Sequence, residues 1–320
     1  MNIYAMESGS SLALKSLSLV FLFLIGLLLS GWAWGSTQIL VLQSHDSPPY
    51  QQTLEGFKAS LLAYGVEADY QIRIVSNDAQ ARELWPLILK SPPQLILTLG
   101  SPAMRAVLNH EQSIPVVTGL VLDTDELKKY PNATGIGLNF SAASYWLWLR
   151  RLLPDAHQIS VIYDPRHGAA LFQSLQALAH ADNVTLIPAP ASDPEELATL
   201  MQNLPAQLDA IWTIDCAAAF NSAATRELLL YSFRNRTPLI GLSAQWVKAG
   251  AFYALDWDYA DLGAQSAELA VSILKKGVKP TALPAHEPRK VRPIFNSKTA
   301  EYMKLQVSEH WLPEIDEVFQ

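Results

Sequence analysis

The chain has 320 residues, half of them hydrophobic, with 23 Lys and Arg against 30 Asp and Glu for a formal charge of −7. That length fills one large core or two ordinary ones, and an acidic balance without a Lys/Arg cluster excludes nucleic acid as a partner. The single cysteine, Cys216, excludes an internal disulfide and reads as packing in a core or cleft wall rather than as a nucleophile.

The first 36 residues differ from the rest. Lys15 precedes an apolar run from Leu17 to Leu29, broken by Ser18 and Gly26, and Ala33-Trp34-Gly35 sets small residues at the −3 and −1 positions before Ser36. A positive flank, an apolar core and small closing residues describe a secretory signal cleaved near Gly35, which predicts a periplasmic protein. The alternative is an uncleaved helix that anchors the chain to the inner membrane. No cysteine follows the run, which argues against a lipid anchor.

From Thr37 the pattern is strand then helix, repeated. Gln38–Gln43 reads as a buried strand, SHDSPPY as a loop, and a helix through Leu54, Phe57, Leu61 and Leu62 ends near Gly65. A strand over Asp69–Val75 and a helix around Ala79–Leu89 follow. Gln94–Leu99 is the clearest buried strand of the first half and runs into Gly100-Ser101-Pro102 and a helix to about Asn109; Ile114–Thr118 is a fourth strand.

The second half restarts the cycle with a helix over Ala142–Leu153, a strand over Gln158–Tyr163, the loop DPRHG and a helix over Ala169–Ala181. Then come a strand at Val184–Pro188, a helix over Glu195–Leu204 opened by Asp193-Pro194, and a buried strand at Ala210–Ile214. The loop DCAAAFNS, a helix over Ala223–Phe233 and a strand at Pro238–Leu242 complete the sheet. Gly250 breaks the chain before an extended Ala251–Leu255, and Leu262, Ala267, Ala270, Val271 and Leu274 then recur at helical spacing up to Gly277. This alternation implies an α/β fold of parallel sheets covered on both faces. A strand that leaves one sheet while its successor feeds a helix elsewhere implies two Rossmann-like lobes on one chain, with a ligand cleft between them.

Asn132-Ala133-Thr134-Gly135, a Leu-rich helix ending in Leu152-Leu153-Pro154-Asp155-Ala156 and the run Ile159–Pro165 resemble the ABC-transporter substrate-binding family with the type I periplasmic-binding fold. The branch in question includes binders of tryptophan, tyrosine and other small solutes. The likeness continues in Val247-Lys248-Ala249-Gly250-Ala251, in LGAQSAELAVSILKKG, in Phe295-Asn296-Ser297-Lys298-Thr299-Ala300 and in Asp316-Glu317-Val318. It implies lobes over 36–139 plus 256–287 and 140–255 plus 288–320, three hinge crossovers, and a ligand enclosed by lobe closure. The chain departs from the pattern at Gly119-Leu120-Val121-Leu122-Asp123, where members often carry Asp-Pro, and at Asp215-Cys216, where they often carry Asp-Asn.

In open parallel sheets ligands lie outside the carboxyl ends of the strands, so the loops there supply the candidates. Ser44, His45 and Tyr50 come from the first loop, where His45 is either functional or merely solvated and Tyr50 either faces the ligand or caps the core. Gly100 and Ser101 open a helix whose free N–H groups suit a carboxylate, with plain N-capping as the alternative. Thr118 and Gly119 add a hydroxyl and a close backbone. Tyr163, Asp164, Asp215 and Asn221 face the same space from the second lobe; Asp215, at the end of an apolar strand, either pairs a ligand ammonium or caps the next helix. Ser243, Trp246, Tyr253 and Trp257 lie around the crossover, where the rings either stack on a ligand or pack the hinge. Tyr145, Trp146 and Trp148 read as helix packing.

Enzyme signatures are missing: there is no Walker loop, GxGxxG or HExxH, the seven histidines lack metal-ligand spacing, and GLSAQ lacks the second Gly of a nucleophile elbow. The chain therefore reads as a monomeric, cofactor-free binder that captures a small organic ligand, such as an amino acid or aromatic metabolite, and delivers it to a membrane ABC permease. The alternatives are a ligand-sensing subunit that signals to a membrane sensor protein, a kinase or cyclase, and a periplasmic hydrolase using Ser243.

Overall fold

A run such as LILTL, all of it buried, is stable only in a sheet covered on both sides, and that is where it lies. The computed structural model describes residues 36–110, 113–122, 124–214 and 220–320. The leader, Asp123 and the segment holding Asp215 and Cys216 lie outside the described residues.

The first sheet holds β1 (Thr37–Gln43), β2 (Ala68–Ile74), β3 (Leu95–Leu99), β4 (Val116–Val121) and β5 (Ala133–Gly137) in the order β2-β1-β3-β4-β5. Its helices are α1 (Pro48–Ala63), α2 (Asp78–Lys90) and α3 (Ser101–Leu108). Strand alternation divides the core: Ile39 and Val41 pack in one cluster with Phe57, while Leu40 and Leu42 pack in another with Met104 and Val107. β2 is an edge strand, which is why Ile72 and Ile74 stay exposed.

The second sheet runs β12-β11-β10-β9-β8-β6-β7. Its strands are β6 (Gln158–Tyr163), β7 (Thr185–Pro190), β8 (Ala210–Ile214), β9 (Leu239–Gly241), β10 (Tyr253–Trp257), β11 (Val291–Asn296) and β12 (Glu317–Phe319). All its pairs are parallel except β10 with β11. β7 carries Pro188 and Pro190, tolerable because it is an edge. The remaining helices are α4 (Ala142–Leu152), α5 (Ala169–Ala181), α6 (Pro194–Gln202), α7 (Ser222–Asn235), α8 (Ala244–Lys248), α9 (Tyr259–Leu274) and α10 (Ser297–Met303). Asn77, Ser141, Asp193, Asn221, Asp258 and Asn296 each accept a backbone N–H as N-cap and so mark where helices begin.

The chain crosses between the sheets three times: after β5 through 138–141, after β10 into α9, and through 287–290 into β11. On its return α9 lies against α1, with Gly56 beside the backbone of Ala260 and Gly263 beside that of Thr53 and Phe57. Between β9 and β10 the chain does more than break at Gly250: α8 forms there, because the Asp256 carboxylate accepts the Ala244 N–H at 3.1 Å and caps it from the neighbouring strand.

Candidate functional site

At the first sheet's corner the Ser44 Oγ accepts the Ala103 N–H at 2.9 Å, which satisfies part of the α3 N-terminus from across the sheet. Burial pushes the Tyr50 phenol up, offset in part by its hydrogen bond with Ser44. A Cβ on Gly100 (φ +92°) would sit 2.6 Å from Ser44 Oγ and 2.7 Å from the Tyr50 hydroxyl, so this position demands glycine for both space and conformation. Ser44, Tyr50 and Gly100 thus form one packed cluster, with Ser101 half-buried at its margin and His45 exposed, its ring edge-on to Tyr50 at 5.7 Å. Thr118 is fully buried in β4 beside Gly135, its hydroxyl without a partner, and Gly119 faces Ser266 of α9.

In the second lobe Tyr163 stacks on Phe172 at 4.7 Å. The buried Asp164 carboxylate takes N–H bonds from the Arg166 backbone at 2.9 Å, from Nε at 2.9 and 3.1 Å and from Nη2 at 2.6 Å. Those bonds hold its pKa below the ordinary carboxylate value despite burial. Asn221 caps α7, and Trp246 meets Phe220 edge-on at 4.7 Å; both line an open groove between α7 and α8. Ser243 is the extended residue before α8, with no cap bond of its own.

Tyr253 stands in a different place. Together with Tyr145, Trp212 and Trp257 it walls a partly open chamber of about 90 Å³, lined by Leu122 and Leu138 from the first-sheet side and by Ile240 and Leu255 from the second. Tyr253 is 1% exposed and its hydroxyl has no hydrogen-bond partner; burial, with Tyr145 nearby, pushes its pKa well up. The Tyr145 ring lies edge-on to Trp212 at 6.0 Å, and Trp257 stacks on Phe140 at 5.6 Å. Trp257 Nε1 donates to Leu138 O at 2.7 Å, a bond between two of the crossing segments.

Leu122 and Asn139 also line an adjoining cleft of about 610 Å³. Arg166 and His167 line that cleft from the second lobe, Asp125 and His286 from the first, and Glu287 from the third crossing. Leu122 reaches both spaces because β4 ends in a bulge: the register shifts between Thr118 and Val121, and Leu120 takes a left-handed φ of 58°.

Among the named candidates, Tyr253 and Trp257 meet in the chamber, Ser44, Tyr50 and Gly100 meet at the α3 corner, and Asn221 and Trp246 meet in the outer groove. The reading missed Leu122, Asn139, Trp212 and Arg166 as lining residues and assigned Tyr145 to packing alone. The departure already noted at Gly119–Asp123 was the available signal for Leu122; a tryptophan inside the short buried strand AIWTI was the signal for Trp212. No group of three His, Cys, Asp or Glu among the described residues could hold a metal ion, and none of their helices is long and apolar enough to cross a membrane.

Residues 36–319 match the family described as ABC transporter substrate binding protein. A tyrosine-binding protein of Clostridioides difficile (strain R20291) is 22% identical over 288 residues, 83% of this chain and 80% of the relative. The ABC domain in complex with L-Trp from Streptococcus pneumonia aligns with a TM-score of 0.67 at 20% identity, covering 89% of this chain and 100% of that one. The ligand-free, open structure of a substrate binding protein with adhesive properties from Clostridium difficile aligns at 0.74 and 18% identity, covering 89% and 99%. At these identities the structural likeness is one of fold and bears out the two-lobed α/β architecture, while the family match over residues 36–319 bears out the resemblance read from the sequence.

Proposed function

We propose, from the premise that the chain belongs to the family of ABC transporter substrate binding proteins, that it is an exported receptor which encloses an aromatic amino acid between its lobes and hands it to a membrane permease. The observation that carries this reading is the chamber walled by Tyr145, Trp212, Tyr253 and Trp257. At about 90 Å³ it is too small for a whole ligand, since sites for small molecules occupy roughly 300–1,000 Å³. It suits the ring end of a molecule whose other end lies in the adjoining cleft.

That cleft offers opposite charges from different sides, Arg166 against Asp125 and Glu287, which suits the carboxylate and ammonium of an amino acid. The tyrosine-binding relative and the L-Trp complex support the same ligand class. Closure about the segments 138–141, 257–258 and 287–290 would seal the cleft and present the closed form to its partner. Calorimetric titration of the purified chain with L-tyrosine, L-tryptophan, L-phenylalanine, L-leucine and D-ribose is the test. Saturable binding confined to the aromatic amino acids is expected; binding of ribose, or of leucine as tightly as the aromatics, would refute the reading.

A further inference from the structure

The loop after β6 buries a carboxylate where a neutral side chain would close the same turn. Asp164 is 1% exposed, and its backbone carbonyl already turns the loop by accepting the His167 and Gly168 N–H groups at 3.2 and 2.7 Å. An asparagine could accept the Arg166 backbone N–H as well, without the cost of burying a charge. What asparagine cannot do is grip one edge of a guanidinium with two oxygens. Arg166 presents Nε and Nη2 to Asp164, and the same Nη2 donates to Ser192 O at 2.8 Å, so two neighbouring loops of the second lobe hold the group. Three of the five guanidinium donors are thereby used. The two on Nη1 have no partner among the described residues, on a side chain that is 57% exposed and lines the interlobe cleft.

Resting on the reading that an amino acid occupies this cleft, we infer that Asp164 is a positioning residue: it does not touch the ligand but holds Arg166 so that the Nη1 donors meet the ligand's carboxylate. The ligand class is then the free acid, in preference to a carboxamide of the same amino acid. Two effects of Asp164 oppose each other. Its charge cancels part of the pull of Arg166 on an anion, yet without it a long, exposed arginine would surrender much side-chain freedom on binding. The cancelled attraction acts at an exposed guanidinium, where water and salt screen it, whereas the fixed direction of the two N–H donors is not screened. Positioning therefore outweighs neutralisation.

The experiment measures, by calorimetry, the ratio of affinities for L-tyrosine and L-tyrosinamide, with L-tryptophan and its carboxamide in parallel, on wild type, Asp164→Asn, Arg166→Met and the double variant. The wild type is expected to prefer the free acid by about 10- to 100-fold, the range for hydrogen bonds to a charged group. Arg166→Met should abolish that preference, and Asp164→Asn should reduce it by about 10-fold; on the Arg166→Met background Asp164→Asn should change it no further. Because the ratio is taken within one protein, a loss of stability alone does not move it. Should Asp164→Asn fail to fold, Arg166→Lys carries the test: it leaves the buried carboxylate a cation but cannot fork, so the preference should still fall by about 10-fold. An Asp164→Asn protein with the wild-type ratio or a larger one, an Arg166→Lys protein with the wild-type ratio, or an effect of Asp164→Asn that persists without Arg166, overturns the inference. A wild type that binds acid and carboxamide equally also overturns it, while leaving the aromatic-ligand reading in place. Failure of L-tyrosine, L-tryptophan and L-phenylalanine alike to bind the wild type overturns that reading, and the inference falls with it.

Discussion

Replacing Gly263 with alanine sets a methyl group against the backbone of α1, where its Cβ would overlap Thr53 O and lie 2.6 Å from Phe57 N and 2.9 Å from Thr53 C. Ordinary van der Waals contact for a Cβ begins near 3.4 Å, so even the milder two of these fall short by about 0.5–0.8 Å. The obstructing atoms are all backbone, so no rotamer change relieves them and the two helices must part. Overpacking of this kind costs roughly 1–3 kcal/mol and occasionally more, and the unyielding neighbours place this case at the upper end or beyond. Against it stands the gain of about 1 kcal/mol from alanine's better helix propensity. The clash wins, for a net loss of about 2–3 kcal/mol, or roughly 3–5 °C in melting temperature for a chain of this size. Because α9 begins two residues after Trp257, its displacement also reaches the hinge. Chemical and thermal denaturation of Gly263→Ala against wild type is the assay; a variant as stable as wild type, or more stable, would show that α1 and α9 separate freely and refute the account.

Trp257→Phe keeps a ring against Phe140 but removes the donor to Leu138 O, so a loss of about 1 kcal/mol in denaturant stability is expected. Asp164 titrates below its unfolded value because Arg166 holds it, so its contribution to stability is complete above about pH 4 and disappears as the pH falls through the lower, folded value. The melting points of wild type and Asp164→Asn should accordingly differ at pH 7 and converge on acidification, and a gap that widens in acid would contradict this. Arg289, in the third crossing, donates to the buried Asp261 at 2.7 and 3.0 Å and to Glu268 at 2.8 Å. Breaking a buried pair costs about 3–5 kcal/mol, but Arg289 is half exposed and Lys290 lies 3.7 Å from Asp261. Arg289→Met should therefore cost about 1–2 kcal/mol, with the same substitution on an Asp261→Asn background costing measurably less.

What could be read from the sequence was what local patterning controls. Continuous apolar runs such as Leu95–Leu99 announced strands covered on both faces, and Asp193-Pro194 announced the start of α6, because burial and capping act over a few residues. The candidate chamber was legible only in part, at Tyr253 and Trp257. Its other walls come from contacts that no local pattern encodes. Leu122 enters through a bulge that depends on how β4 pairs with β5, and Tyr145 sits on a helix whose neighbours Trp146 and Trp148 do bury in the core as a packing stripe should. The same reasoning explains α8, capped by a carboxylate from the next strand, and the α3 N-terminus, which looked free for an anion until Ser44 reached it from 59 residues away. A helix end or a strand end read from sequence is thus an offer that tertiary contacts can fill, as the Asp256 carboxylate fills the one at Ala244.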